Sequence, residues 1–244
     1  MVLCVFGEAV PGGSASRCRV VLNCQVVNLS IMESKHCKVA IVGHSFPKRL
    51  HNYIVNIAGD DESKDVNMNL AQMSVAWIYK GGWTWKSFAQ KSASELVTQQ
   101  AESFNIVFFE LGSNDLDSVT PAQCIAQQAL DTAHDIINNG SSLVILGEVL
   151  ERSRTHNIPV HTYNQKVHEY NNYLRSYLID SRYPRSSFQR FAQGDVWFWD
   201  HLKLRRSEMP LLQPDGVHLT DYPGNHRLYW SIRLALKRGF DYIY

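Results

Sequence analysis

Short apolar runs alternate with longer amphipathic stretches along most of this chain. The runs are rich in Val, Ile, Leu, Phe and Trp, and they cover residues 39–42, 73–79, 104–111, 142–146 and 195–199. Continuous apolar runs of this length are typical of strands that are buried on both faces. The pattern therefore predicts five strands.

A stretch with helical spacing follows each of these runs. Apolar residues recur there at intervals of three and four, as one buried helix face requires; the stretches begin near Pro47, Trp85, Pro121, Val167 and Tyr222. Strands that alternate with helices form a parallel sheet covered on both faces. We predict an α/β fold, a flavodoxin-like three-layer α/β/α sandwich around a five-stranded, mainly parallel sheet. Spacing alone leaves the strand order open.

The first part of the chain does not share this pattern. Residues 1–36 contain the linker-like Gly12-Gly13-Ser14, and no Lys or Arg precedes the apolar residues 3–6, as a signal peptide would require. We expect residues 1–36 to be a weakly ordered N-terminal extension and residues 37–244 to form the domain.

Composition and charge limit the kinds of molecule that we expect the protein to bind. The 244 residues are 45% hydrophobic with a net charge of +1, which provides no electrostatic argument for binding nucleic acid. No window is apolar over the ~18 residues that a membrane span needs.

The cysteines favour a cytoplasmic location. There are five, an odd number, and no two of them form a C-x-x-C motif, which favours free thiols. Two N-x-S sequons, at Asn28 and Asn139, keep secretion open as an alternative.

Polar residues of chemical interest follow the predicted strands. Ser45 comes after the first strand, Gly82 after the second, Asn114 after the third, and Asp215 and His218 lie in the loop after the fifth. The carboxyl ends of parallel strands share one edge of the sheet, where ligands bind. We therefore expect these five residues to converge.

Their residue types suit nucleophilic catalysis. A serine hydroxyl needs an adjacent base, which His218 would supply, and Asp215 would orient the imidazole. The Ser45 and Gly82 backbone N–H groups and the Asn114 side-chain amide would stabilise an oxyanion. Each residue also has a structural interpretation: Ser45 as a helix N-cap, Asn114 as a turn former and His218 as a loop residue. The joint occurrence of all five favours catalysis.

Four blocks carry a family resemblance: GHSF at 43–46, Gly82, GSND at 112–115 and DGVH at 215–218. In this order and separation they resemble the SGNH (GDSL-type) hydrolases. The resemblance implies a flavodoxin-like fold and ester or acyl hydrolysis through a serine–histidine pair, without metal or organic cofactor. We expect the substrate to be a small or carbohydrate-linked ester. The resemblance also implies that Ser45 is the nucleophile, His218 the base and Asp215 its orienter, with Gly82 and Asn114 as oxyanion donors.

One position departs from the family pattern, because His44 replaces the usual aspartate of GDS. The departure, together with the unusual N-terminal extension, keeps open an inactive interaction module of a mobile-element-type protein. An acyltransferase that uses the same residues is also open, because the sequence does not separate it from a hydrolase. Three histidines, His156, His161 and His168, lack the spacing of metal ligands, so no metal site is expected. Arg152 and Arg154 are interpreted as solvated loop charges, with a place in the wall of the cleft as the alternative for Arg154.

Overall fold

Six strands form one sheet in a computed structural model, which describes residues 36–58, 64–68, 73–89, 104–178, 190–193, 195–205 and 210–244. The strands are β1 Cys37–Gly43, β2 Met73–Tyr79, β3 Ile106–Glu110, β4 Leu143–Gly147, β5 Arg190–Gln193 and β6 Val196–Trp199. Their spatial order is β2-β1-β3-β4-β6-β5. The five predicted strands are confirmed, and all their pairings are parallel. Their order is that of the flavodoxin-like sheet.

The sixth strand, β5, was not predicted. It pairs antiparallel with β6 at the edge of the sheet. Its sequence, RFAQ, has no apolar run, because an edge strand has a neighbour on one side only and does not need continuous burial.

Helices cover both faces of the sheet. They are α1 Ser45–Ala58, α2 Trp85–Ala89, α3 Ser113–Leu116, α4 Ala122–Asn138, α5 Val160–Tyr177, α6 Leu202–Arg205 and α7 His226–Ile243. On one face, Leu50 of α1 and Ile232 of α7 belong to the same buried cluster as Ile41 of β1. On the other face, Ala129 of α4 and Tyr170 of α5 belong to the cluster around Val107. The three-layer prediction is therefore confirmed.

Helix boundaries differ from the predictions in two places, and a third helix is described only in part. The helix that begins at Trp85 is described as far as Ala89, and the rest of the predicted stretch lies outside the described residues. Helix α5 begins at Val160, directly after Pro159 and seven residues before the first predicted apolar position. A π-helical turn, Asp221–Asn225, precedes the last helix. Val160 and the buried Tyr163 continue the helical spacing of Val167 towards the N-terminus, but the polar residues around them made this signal weak in the sequence.

The prediction for residues 1–36 falls almost wholly outside the described residues, so the domain boundary stays a prediction. Within the described ranges, none of the helices combines the length and the apolar character that crossing a bilayer would require.

The end of β1 sets the position of the site. A Cβ atom at Gly43 would lie 2.3 Å from the carbonyl oxygen of Glu110 on the adjacent strand. Only glycine fits at this close approach. The chain passes through His44 and enters α1 at Ser45, which therefore lies at the carboxyl edge of the sheet, at a helix N-terminus.

Candidate active site

Ser45 and His218 are in hydrogen-bond contact, although they are 173 positions apart in the chain. The Nε2 atom of His218 lies 3.0 Å from the half-buried Oγ of Ser45. On the other side of the ring, Nδ1 lies 2.7 Å from Oδ2 of Asp215. The structure thus connects three of the five predicted site residues, Asp215, His218 and Ser45, through two consecutive hydrogen-bond contacts.

A tight loop presents His218. The backbone N–H groups of Val217 and His218 both donate to Oδ1 of Asp215, at 2.9 Å each. Gly216 has a φ of 69°, and a Cβ atom there would lie 2.5 Å from Oγ of Ser153. Its carbonyl accepts the backbone N–H groups of Ser153 and Arg154. The loop that carries His218 is therefore docked against the segment that follows β4.

Hydrogen bonds define the protonation states in this series. Slight burial disfavours the charged carboxylate of Asp215, but N–H donors from the His218 backbone, the His218 ring and Val217 hold its pKa below the usual value. An ionised carboxylate is only an acceptor, so Nδ1 of His218 carries the proton. In the neutral ring Nε2 is then an acceptor, and it faces the Ser45 hydroxyl.

Asn114 and Gly82 lie at the same edge of the sheet, on two different turns. Asn114 is in α3, just after β3, and its Nδ2 donates to the Trp83 carbonyl at 3.0 Å. Gly82, with a φ of 78°, is in the turn after β2. The backbone N–H of Lys80 in this turn donates to the Gly43 carbonyl at the end of β1. These contacts join the turn that contains Gly82 to Asn114 and to the segment before Ser45.

His44, which replaces the aspartate of the family pattern, is buried beside Ser113 and Ser45. Its Nε2 lies 2.8 Å from Oγ of Ser113, and its Nδ1 lies 3.4 Å from Oγ of Ser45. Burial, with smaller contributions from the Arg152 and His218 charges, lowers the pKa of His44 to about 3. A neutral imidazole therefore stands where the family has a carboxylate.

The interpretation of Arg152 as a solvated charge is wrong. This residue is 4% exposed, whereas Arg154 is exposed as expected. Its Nη2 donates to Oγ of Ser113 at 2.8 Å and to Oδ1 of Asn114 at 3.0 Å. Nothing in the local sequence distinguishes the two arginines, because both lie in the same polar connection.

A cavity of about 450 Å³ lies farther along the same sheet edge. Its lining includes Glu148 and Arg175 and a set of leucines, Leu204, Leu211, Leu212 and Leu219. Leu219, the residue after His218, lines this cavity, whereas Ser45 and His218 do not. Within the described ranges, no three His, Cys, Asp or Glu side chains are arranged to hold a metal ion.

Several solved structures are similar to this one. A GDSL-like lipase from Bacteroides thetaiotaomicron has a TM-score of 0.58 at 15% identity, over 82% of this chain and 88% of the lipase. A carbohydrate esterase family 3 protein from Talaromyces cellulolyticus has a TM-score of 0.54 at 18% identity, over 83% and 97%. The C-terminal catalytic domain of peptidoglycan O-acetyltransferase A from Streptococcus pneumoniae has a TM-score of 0.52 at 15% identity, over 85% and 96%.

No family model and no curated protein sequence matches the chain. The structural matches show that the chain has the SGNH (GDSL-type) hydrolase fold, as the four sequence blocks predicted.

Proposed function

We propose that this protein is a serine ester hydrolase that cleaves a carboxylic ester through Ser45, His218 and Asp215. One observation carries the proposal: the hydrogen-bonded series from Asp215 through His218 to Ser45, with distances of 2.7 and 3.0 Å. A nucleophile, a base and a group that orients the base are the arrangement that covalent catalysis by serine needs.

Acylation begins with attack by Oγ of Ser45 on the ester carbonyl carbon. Nε2 of His218 takes the hydroxyl proton as the C–O bond forms, and Asp215 stabilises the resulting imidazolium. The tetrahedral intermediate collapses, the bond to the alcohol breaks, and His218 returns the proton to the leaving alkoxide. The products of this half-reaction are the free alcohol and an acyl ester on Ser45.

The negative charge of the tetrahedral intermediate needs donors. The backbone N–H of Ser45 lies in the first turn of α1, where N–H groups have no partner within the helix. The backbone N–H of Gly82 and Nδ2 of Asn114 complete the proposed oxyanion hole. Such donors stabilise a developing charge more than a neutral carbonyl, so they accelerate the reaction.

Deacylation repeats these steps with water. His218 takes a proton from the water as its oxygen attacks the acyl carbon, and then returns the proton to Oγ as the acid leaves. No metal or organic cofactor takes part in the scheme. We propose a small or carbohydrate-linked ester as substrate; the carbohydrate esterase with this fold supports the second class.

The test combines turnover with labelling. The wild-type protein should hydrolyse para-nitrophenyl acetate and react with a fluorophosphonate that mass spectrometry locates on Ser45. Ser45→Ala should abolish both, whereas Ser176→Ala, at an exposed position on α5, should retain both. A wild-type protein that neither turns over nor labels would contradict the proposal and favour the inactive interaction module.

An acyltransferase is the second candidate, and the O-acetyltransferase domain with this fold supports it. The same acyl-serine would form, and an acceptor hydroxyl would replace water in the second half-reaction. Mass spectrometry of the products with sugar and alcohol acceptors separates the two functions. Release of free acid alone would exclude the transferase.

A further inference from the structure

Arg152 is held in place before any substrate binds. Its backbone N–H donates to Oδ1 of Asn164, and its carbonyl accepts Nδ2 of the same residue, at 3.0 and 3.1 Å. Its guanidinium lies 5.1 Å from the centre of the Tyr163 ring, a distance typical of a cation–π contact. Both partners belong to α5, so this helix fixes the arginine at its backbone and at its side chain.

The guanidinium determines which way the Asn114 amide faces. Arginine nitrogens only donate hydrogen bonds, so the atom of Asn114 that Nη2 contacts at 3.0 Å is the amide oxygen. The amide nitrogen then faces the Trp83 carbonyl, at 3.0 Å. A side-chain amide has two N–H groups, and this bond uses one of them. The other N–H remains available for an oxyanion.

The charge of Arg152 is not neutralised by a contacting carboxylate in the ranges that the structure describes. Its guanidinium contacts Ser113, Asn114 and the Tyr163 ring, and its buried Nε has no hydrogen-bond partner. A charged donor polarises the amide that it binds, and this effect is stronger in a buried setting than in water. The Asn114 N–H groups therefore become stronger donors.

The adjacent imidazole is compatible with this charge. The Phe46 N–H donates to Nδ1 of His44, so Nε2 carries the ring proton and donates to Oγ of Ser113. Oγ of Ser113 thus accepts bonds from both His44 and Arg152. A neutral ring leaves the positive charge of the arginine directed at Asn114, whereas a carboxylate at this position would compete for it.

We propose that Arg152 is a positioning residue that acts through Asn114. It fixes the orientation of the amide and strengthens the N–H that stabilises the oxyanion. This inference rests on the proposed hydrolase function. It assigns to Arg152 an effect on the transition state, so its loss should lower kcat with little change in KM.

A double-mutant cycle on para-nitrophenyl acetate turnover tests this role. Arg152→Gln should lower kcat about 10- to 100-fold, and Asn114→Ala about 100- to 1,000-fold, the range for loss of one oxyanion donor. The double variant should be no worse than about threefold below Asn114→Ala, because Arg152 then has no amide to act on. The matched control, Arg238→Gln at an exposed position near the end of α7, should retain the wild-type kcat.

Two outcomes would overturn the role of Arg152. One is a wild-type kcat in a folded Arg152→Gln protein. The other is a double variant that loses the product of the two single effects, since a purely structural arginine would act independently of Asn114. Thermal denaturation of each variant checks the fold.

A second variant keeps the inference testable if Arg152→Gln does not fold. Asn114→Asp retains an oxygen for the guanidinium but has no N–H to donate, so it should fold and be as impaired as Asn114→Ala. A wild-type kcat in Asn114→Asp would overturn the inference.

Fluorophosphonate labelling of the wild-type protein separates the two proposals. Labelling together with multiplicative losses rejects only the role of Arg152, whereas a wild-type protein without labelling or turnover rejects the hydrolase itself.

Discussion

The carboxylate of Asp215 holds His218 at two points. One oxygen accepts the backbone N–H of His218 at 2.9 Å, and the other lies 2.7 Å from Nδ1 of its ring. The backbone contact sets where the residue lies in the loop, and the ring contact sets which nitrogen carries the proton. Position and tautomer therefore depend on the same side chain.

Asp215→Asn should separate these two roles. The asparagine oxygen can still accept the backbone N–H, so the loop should keep its shape. If the asparagine NH2 faces Nδ1, the ring takes the tautomer that protonates Nε2, which is the wrong form for a base. We expect kcat for para-nitrophenyl acetate to fall about 100- to 10,000-fold, the upper end being the loss known for this change in a serine protease.

The control for this prediction is Asp131→Asn, which changes an exposed carboxylate on α4 and should leave kcat unaltered. An Asp215→Asn protein with a wild-type kcat would show that the base does not need its carboxylate partner.

Asp115 predicts a pH dependence of stability. Its two carboxyl oxygens lie 3.0 and 3.2 Å from the backbone N–H of Trp85, and burial raises its pKa to about 7. Between about pH 4 and pH 7 the folded protein holds a proton that the unfolded chain has lost. The free energy of unfolding should therefore fall as the pH rises through this range, by about 1–3 kcal/mol.

Asp115→Asn removes this titration and keeps an oxygen for the Trp85 N–H. Urea denaturation of both proteins at pH 5 and pH 8 measures the effect. We expect the wild-type protein to lose more stability than the variant between these two values. Equal losses in the two proteins would contradict the prediction.

His201 is completely buried in a network of polar side chains. Its Nε2 lies 3.1 Å from Glu110, its Nδ1 lies 2.8 Å from Oγ of Ser231, and its backbone N–H donates to Glu148. Burial disfavours a charged ring, but the carboxylates of Glu110, Glu148 and Asp200 outweigh it and raise the pKa of His201. Arg175 in turn binds Glu148 and Asp200.

The raised pKa of His201 sets the direction of a second pH effect. Its contribution to stability should be complete below the unfolded value of about 6.5 and should be lost as the pH rises through the folded value. His201→Gln should abolish this decline and should cost about 3–5 kcal/mol at pH 6, because Glu110 loses a buried ionic partner. Urea denaturation from pH 6 to pH 9 provides the measurement.

The exposed His161, changed to Gln, serves as the matched control and should behave as the wild-type protein does. A His201→Gln protein that declines with pH as steeply as the wild-type protein would rule out His201 as the source.

The parallel sheet was predictable because a strand buried on both faces needs a continuous apolar run. The run before Ser45 is such a strand, with six of its seven residues buried. The edge strand β5 was not predictable because its sequence, RFAQ, has no apolar run, and the start of α5 was missed because polar residues surround its apolar positions. Arg152 was missed for a related reason: a charged residue in a polar connection is ordinarily solvated, and only three-dimensional contacts with Ser113 and Asn114 offset its burial.

By itself, the sequence determined the layered α/β architecture and the set of residues at the strand ends, since burial and turn formation are local requirements that leave a pattern along the chain. Only the tertiary structure decided that His218 reaches Ser45 and that a buried arginine contacts Asn114. The physical reason is that these contacts join distant segments. They depend on strand order, on the docking of one loop against another and on distances of about 3 Å, which no spacing along the chain specifies.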